Sequence, residues 1–286
     1  MKSYRALWQA LAAEYDEREA KAVARLVMEE CFGLSLTDLA IGKDTELLED
    51  ITRQRLLQTI ATRLLKGEPV HYILGMASYC DRRFMVTPDV LIPRPETQQL
   101  NQMIDSFCKQ RPHGQRILDI GTGSGCIAIT AALDLQLLDA RVTAWDISEA
   151  ALNVARCNNK KLKAGVAFRR RDALHPPHHR QRWDVIVSNP PYICTSEQAE
   201  MTRQVLNHEP AIALFVPDDA PLRFYRAIAA YATTALTPGG ALLFEVNSRH
   251  ADAVARLLTD KGFAHTAIHQ DCYGRQRFVS AYNGNQ

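Results

Sequence analysis

The segment Asn189-Pro190-Pro191-Tyr192 holds the residues whose types and order are best suited to chemistry. Two consecutive prolines stiffen the turn and remove two backbone donors. What remains is a row of acceptors: the main-chain carbonyls of Asn189 and Pro190 and the side-chain carbonyl of Asn189, with Pro191 and the flat face of Tyr192 beside them. Such a row suits a planar –NH2 group. The nitrogen of an amide or ring amine is a poor nucleophile because its lone pair is delocalised. Acceptors that hold both of its protons draw electron density onto nitrogen and aim the lone pair at a methyl donor. Placement alone lowers a barrier by roughly 7–11 kcal/mol in well-oriented systems. The acceptors also bind more tightly as the nitrogen turns positive, so they favour the transition state over the substrate. Asn189 and Tyr192 are the candidate catalytic residues. Asn189 to Tyr192 are also the candidate substrate contacts, with Arg94 of Pro93-Arg94-Pro95 as a further one at the cleft or at the start of the helix that follows.

A methyl donor needs a site next to this loop. Arg116-Ile117-Leu118-Asp119-Ile120 reads as a buried strand, and Gly121-Thr122-Gly123-Ser124-Gly125 follows it directly, ahead of an apolar helix. Glycines there let a ligand come close to the backbone. A dinucleotide fingerprint places a further glycine at the position held here by Cys126. The form Asp-x-Gly-x-Gly-x-Gly, led by Asp119, suits S-adenosylmethionine instead. Asp146 ends the next strand, roughly 20 residues past the loop, where a carboxylate accepts both ribose hydroxyl protons; it is equally placed to cap the following helix. Asp172, after the third strand, is positioned to accept from the adenine amine or to stand as a solvated loop residue.

The elements that carry these residues follow a regular pattern. Strands are predicted at 116–120, 141–146, 166–170, 183–188 and 240–246, and helices at 124–136, 148–162, 221–235 and 249–261. This alternation builds a parallel sheet covered on both faces, and in such sheets ligands bind at the carboxyl ends of the strands. Residues 263–269 and 276–282, joined around Gly274-Arg275, add an antiparallel hairpin. Before the sheet, residues 1–66 read as a helical bundle. Tyr4, Leu7, Trp8, Leu11 and Tyr15 share one helix face. Asp16 with Glu19 resembles a capping box, Gly33 suits a helix end, and Ser35 with Asp38 marks another start. Asp44 is expected to cap a long helix to about Lys66 that buries Leu57, Ile60, Ala61 and Leu64. Val70, Tyr72 and Ile73, then Tyr79, then Phe84 to Val86 read as short strands, and a helix is predicted from Ile92–Thr97 to about Lys109. The expected domains are 1–69, a helical domain; 70–92, a β-hairpin connector; and 93–286, the sheet domain.

Composition limits the function classes. Hydrophobic residues make up 47% and charged residues 23%, the balance of an ordinary globular protein. Thirty-four Lys and Arg against 32 Asp and Glu give a net charge of +2, so no broad grip on nucleic acid is indicated. Arg169-Arg170-Arg171 reads as a solvated strand end rather than an RNA contact. Seven cysteines without a Cys-x-x-Cys pair read as reduced thiols, mostly small core residues. No signal peptide and no run of about 20 apolar residues is found, so a cytoplasmic location without membrane attachment is expected. His175, His178 and His179 lack the spacing of a rigid metal site, and no metal is expected.

Together the glycine loop, Asp146 and Asn-Pro-Pro-Tyr resemble a class I, S-adenosylmethionine-dependent methyltransferase acting on an amide or exocyclic amine. More narrowly the chain resembles the release-factor glutamine methyltransferases, the PrmC/HemK family. The narrower features are Gly67-Glu68-Pro69-Val70-His71-Tyr72-Ile73-Leu74-Gly75, Phe84 to Thr97, Ile186 to Ile193, Glu209-Pro210, and Asp271 with Arg277. The resemblance implies an α/β, Rossmann-like class I methyltransferase sheet with a C-terminal antiparallel hairpin, preceded by a substrate-docking helical bundle. It implies methyl transfer from S-adenosyl-L-methionine to the side-chain amide nitrogen of the glutamine in the Gly-Gly-Gln motif of peptide chain release factors. A ribosomal protein glutamine or an exocyclic amine of a nucleic-acid base is the alternative target. The implied cofactor residues are Asp119, Gly121, Thr122, Gly123, Ser124, Gly125, Asp146, Asp172, Ala173 and Asn189. The expected partner is the release factor, bound by a monomer, with no stable nucleic-acid partner.

Three segments depart from the family pattern. Ala173 stands where an aromatic is frequent, so adenine must pack elsewhere. Val216-Pro217-Asp218-Asp219-Ala220-Pro221-Leu222 replaces a Gly-x-Asp-Gly-Leu region, and Glu245-Val246-Asn247 replaces Glu-Ile-Gly.

Overall fold

A computed structural model describes residues 3–44, 50–112, 114–177 and 182–284 of the chain. It divides into two compact units, Met1–Met76 with Thr202–His208, and Ala77–Met201 with Glu209–Gln286.

The first unit begins with α1 (Tyr4–Leu11), α2 (Glu17–Phe32), α3 (Leu36–Ala40), α4 (Ile51–Leu65) and α5 (Val70–Leu74). Its core forms where the apolar spacing places it: Leu7, Leu11 and Tyr15 pack with Val27, Met28, Leu57, Ile60, Ala61 and Leu64. Asp16 accepts from the Glu19 N–H, Gly33 closes α2 at φ +69°, and Ser35 and Asp38 form a complete capping box. Two expectations fail here. Asp44 does not cap the long helix; it accepts from the Tyr4 N–H at 2.8 Å, while Asp50 caps α4 through Thr52 and Arg53. The expected helical stretch between them falls on residues 45–49, outside the described residues. Val70-His71-Tyr72-Ile73-Leu74 is a helix and not a strand. Pro69 fixes its start, only Tyr72 of the five is buried, and Gly75 ends it at φ +69°. Five residues that begin after a proline and stop at a left-handed glycine lack the period-2 burial of a strand.

The second unit opens with the hairpin of β1 (Met76–Tyr79) and β2 (Arg82–Met85), then α6 (Gln98–Cys108). The alternating part follows as β3 (Arg116–Ile120), α7 (Cys126–Asp134), β4 (Arg141–Asp146), α8 (Glu149–Leu162), β5 (Ala167–Arg170) and β6 (Trp183–Ser188). Next come β7 (Ile193–Cys194), α9 (Arg203–His208), which clusters with the helical unit, α10 (Ala211–Leu214) and β8 (Phe215–Val216). The chain finishes with α11 (Arg223–Ala235), β9 (Leu236–Glu245), α12 (Ala251–Asp260), β10 (Phe263–Gln270) and β11 (Gln276–Asn283).

Seven strands form one sheet in the order β10-β11-β9-β6-β3-β4-β5, with β11 antiparallel to both of its neighbours, β10 and β9, and every other pair parallel. Strand alternation splits the core between the two faces. Ile117, Val185 and Val187 join Leu100, Ile104, Ile127 and Leu152 on one side, and Leu118, Ile186 and Phe244 join Tyr225, Ile228 and Val254 on the other. The strand order runs from β3 to β4 and β5 on one side and resumes with β6 on the other. A crevice opens at the carboxyl ends where such an order reverses. The seven cysteines are unpaired, but only Cys108, Cys126 and Cys194 are buried; Cys157 and Cys272 are exposed, so the expectation of mostly core thiols does not hold. Among the described residues no helix is long and apolar enough to cross a membrane.

Candidate active site

β3 and β6 are parallel neighbours with Ile120 opposite Ser188. The loops that leave them, the glycine turn and Asn-Pro-Pro-Tyr, therefore emerge side by side. Ser188 Oγ locks the two ends together by donating to the Ile120 carbonyl at 2.6 Å. Between the loops lies a cavity of about 330 Å³. It is lined by Gly121, Gly123, Asp146, Asp172, Ala173, Asn189, Pro190 and Pro191 among the residues expected from sequence.

The turn itself is internally committed. The N–H groups of Gly121 and Thr122 both donate to the Trp145 carbonyl at 2.9 Å, Gly125 N–H to Thr122 O at 2.9 Å, and Gly123 N–H to Asp146 Oδ2 at 2.9 Å. A pyrophosphate site needs such amides free; here four of them are spent inside the protein, which disfavours a dinucleotide on physical grounds. The turn ahead of α7 thus offers a surface to a ligand and few of the free amides that a glycine loop suggests. Gly121, Gly123 and Gly125 all take positive φ. A Cβ on Gly123 would meet nothing of the protein within 4 Å, whereas one on Gly125 would lie 2.9 Å from Ile129 Cδ1 and 3.2 Å from Ala155 Cβ. Gly123 keeps the cavity open, and Gly125 lets α7 and α8 close on each other.

Three carboxylates surround the turn. Asp119 is fully buried, accepts from Thr122 Oγ1 at 2.6 Å, and leaves Oδ1 without a hydrogen bond. Burial, aided by the Asp146 charge, pushes its carboxyl up to about 7. Asp146 accepts from Gly123 N–H and Ser148 N–H, both at 2.9 Å, which fulfils the capping role and still leaves lone pairs facing the cavity. Burial raises its pKa against those bonds. Asp172 sits where burial would raise its pKa, but the His175 ring at 2.7 Å and the Leu174 N–H at 2.8 Å hold it below the ordinary carboxylate value. The apolar wall between the carboxylates comes from Ile120, Ile147, Leu174, Phe224 and Ile228. Phe224 of α11 supplies the aromatic ring that Ala173 lacks. No local motif marks it; only the fold brings it here.

These features fit S-adenosylmethionine. Acidic groups face a cavity that would receive a cationic sulfonium, and Asp146 and Asp172 offer it acceptors for hydroxyls and an amine. Gly123 leaves open the space that a side chain would fill.

Asn189 faces the cavity, and its Nδ2 donates to Thr97 Oγ1 at 3.4 Å. Thr97 donates to Glu245 Oε2 at 2.6 Å, and Tyr192 Oη donates to Glu245 Oε1 at 3.1 Å. Glu245 is buried and its pKa is raised by that burial, while Arg277 opposes the rise. Burial and the Glu245 charge lift the Tyr192 phenol above its ordinary value. Thr97 and Glu245 were not assigned roles from sequence. From sequence Glu245 is legible as an acid at the end of a buried strand and as the retained first residue of the Glu-Ile-Gly segment, with no role attached.

Other expected residues lie elsewhere. Arg94 does not line the cavity; its guanidinium is paired at 2.6 Å with Glu209, whose side chain is 1% exposed. Tyr192, Asp119, Thr122, Ser124 and Gly125 do not line the cavity themselves. Of the three arginines, Arg169 and Arg170 are exposed on β5 and Arg171 lines the cavity. His178 and His179 fall outside the described residues. Among the described residues Cys194, Glu197 and His250 come together with metal-ligand atoms within 4.8 Å. Glu197 there is already engaged by Cys194 N–H, Asn247 Nδ2 and Arg249, and the arginine opposes a cation. Asn247, one departure from the family pattern, thus ties the chain after β9 to the segment after Tyr192.

Comparison with known proteins gives a consistent set of relatives. Residues 98–214 match the methyltransferase small domain, and residues 5–75 match the PrmC N-terminal domain. A release factor glutamine methyltransferase of Bacteroides thetaiotaomicron is 44% identical over 274 residues, covering 96% of both chains. One from Flavobacterium psychrophilum is 36% identical over 98% of both chains, and one from Neisseria gonorrhoeae is 42% identical over 81% of this chain and 82% of its own. Among solved structures, the hMettl16 catalytic domain aligns with a TM-score of 0.55 at 15% identity over 83% of each chain, a likeness of fold alone.

Proposed function

This chain belongs to the release factor glutamine methyltransferases, S-adenosylmethionine-dependent protein-glutamine methyltransferases, and we propose that it methylates the side-chain amide nitrogen of the glutamine in the Gly-Gly-Gln motif of peptide chain release factors. The observation that carries the reading is the polarity of Asn189: with Nδ2 on Thr97, Oδ1 is the end left for the cavity.

When bound, S-adenosylmethionine supplies an electrophilic methyl group on a sulfonium centre. Asp146 accepts from its ribose hydroxyls, Asp172 from its adenine amine, and Phe224, Ile147 and Ile228 pack its ring. Asn189 Oδ1 and the main-chain carbonyls of Asn189 and Pro190 accept the two protons of the substrate amide. Held this way, the nitrogen keeps its substituents in plane and turns its lone pair to the cofactor side. Charge that develops on nitrogen strengthens each of these bonds, so the acceptors lower the barrier without removing a proton first, and one of the two N–H protons passes to solvent after transfer to leave the neutral methylamide. Pro190 and Pro191 hold the acceptors at fixed positions and exclude competing donors. Tyr192 is held by Glu245 and supports the loop. The helical unit serves as the docking surface for the body of the release factor.

The reading is tested by supplying labelled S-adenosylmethionine with release factor, ribosomal proteins and nucleic acid in parallel. Label in release factor alone supports it. Label in a ribosomal protein or in nucleic acid, with release factor unlabelled, points to one of the two alternative targets.

A further inference from the structure

Glu245 and Thr97 lie behind the acceptor loop, and neither lines the cavity. The direction of the hydrogen bonds between them is nevertheless determined. Thr97 has one hydroxyl proton, and at 2.6 Å from Glu245 Oε2 that proton is on the bond to the carboxylate. The hydroxyl oxygen can then only accept, and what reaches it is the Nδ2 of Asn189. Glu245 Oε1 accepts from Tyr192 Oη, so one carboxylate holds both ends of the Asn189–Tyr192 turn.

We propose that Glu245 and Thr97 are positioning residues that set which end of the Asn189 amide faces the substrate. Without them the carboxamide can rotate by half a turn and present N–H donors to an amide that needs acceptors. The inference rests on the glutamine methyltransferase reading and adds residues that act through Asn189. An ionised Glu245 is required, since a protonated acid would donate to Thr97 and free the threonine proton for Asn189. The charged groups that face Glu245 are Arg277 of β11, which favours the ionised form, and Glu96, which opposes it. The Tyr225 hydroxyl reaches the main-chain carbonyl of Glu245. Arg277 is ion-paired with Asp271 at 3.5 Å, so its pull on Glu245 is shared with that second carboxylate.

The test compares Thr97→Val with Thr97→Ser in the full chain. Valine keeps the shape of threonine and suits a buried position, so a merely structural role predicts that it does no worse than serine. The orienting role predicts the reverse: kcat falls about ten- to hundredfold in Thr97→Val while KM for S-adenosylmethionine holds, and serine restores most of the rate. Thr97→Val is also made in an Asn189→Asp background. A carboxylate has no nitrogen end to misplace, so Thr97→Val should cost little further there. Hydrogen exchange of the Asn189 side-chain amide, followed by NMR without substrate, should speed up in Thr97→Val and not in Thr97→Ser. Equal kcat in valine and serine variants, or the same loss in both backgrounds, overturns the proposal. Failure of the unaltered chain to methylate release factor would instead overturn the substrate reading, independently of these variants.

Discussion

A Cβ on Gly121 would lie 3.9 Å from the main-chain carbonyl of Asn189. The glycine turn and the acceptor loop therefore abut, although they are far apart in the chain. Their approach follows from the parallel register of β3 and β6, which brings Ile120 opposite Ser188. In the proposed reaction, cofactor and substrate amide would meet across the narrow line between Gly121 and Asn189.

Asn189→Ala removes one acceptor of an amide proton. Hydrogen bonds to a charged group are worth about 1.5–3 kcal/mol, so turnover should slow by about ten- to hundredfold or more. Binding of S-adenosylmethionine, measured by calorimetry, should change far less because the glycine turn is intact. Asn189→Asp keeps an acceptor and should retain part of the rate. Near-normal turnover in both variants would remove the acceptor role.

Gly123 and Gly125 of the turn should separate by effect. Gly123→Val adds a side chain to open space, so it should abolish S-adenosylmethionine binding at a strain cost of about 1–3 kcal/mol in stability. Gly125→Ala drives a Cβ into Ile129 and Ala155, so overpacking of about 1–3 kcal/mol adds to the backbone strain at φ +83°. Thermal denaturation and calorimetry on both variants check the contrast. A Gly123→Val protein that binds cofactor normally contradicts the placement of the site.

Asp119 gives a pH-dependent signature. Its folded pKa, about 7, lies above the unfolded value because burial penalises the charge. The folded chain therefore holds a proton that the unfolded chain has lost between about pH 4 and pH 7, and this group's contribution to stability falls as pH rises through that window. Asp119→Asn keeps an acceptor for Thr122 and carries no charge. The difference in Tm between Asp119→Asn and the unaltered chain should grow in favour of the variant from pH 4 to above pH 7. A gap that does not vary with pH contradicts an abnormally raised Asp119.

Much of this arrangement was legible in the residues. Short apolar runs alternating with helical segments placed β3, β4 and β6, which are buried almost throughout, and the prolines and glycines marked both loops. Tertiary partners were not legible. Thr97, Glu245 and Phe224 come from three separate elements, and nothing local distinguishes them from caps or core residues. Of the two places expected for Arg94 it takes the one at the approach to α6, because the buried Glu209, distant in sequence, pairs with it. The segment 70–74 was misread because Val, Tyr and Ile favour strands, whereas Pro69 and Gly75 bound a helical turn. The spent amides of the glycine turn are likewise a tertiary fact, set by the Trp145 carbonyl and Asp146.

The docking role proposed for the helical unit has a direct kinetic consequence. Binding energy from remote parts of a substrate contributes to the rate at its reacting centre. A short peptide containing Gly-Gly-Gln should be methylated with kcat/KM at least about tenfold below that of the whole release factor. Equal values would assign residues 1–76 a different purpose.

Tandem mass spectrometry of release factor incubated with this protein and S-adenosylmethionine tests the central claim most directly. One methyl group is expected on the side-chain amide nitrogen of the Gly-Gly-Gln glutamine, and none when that glutamine is replaced by glutamate, which lacks the –NH2 group. A methyl group located on any other atom, or incorporation that persists with glutamate, would contradict the account.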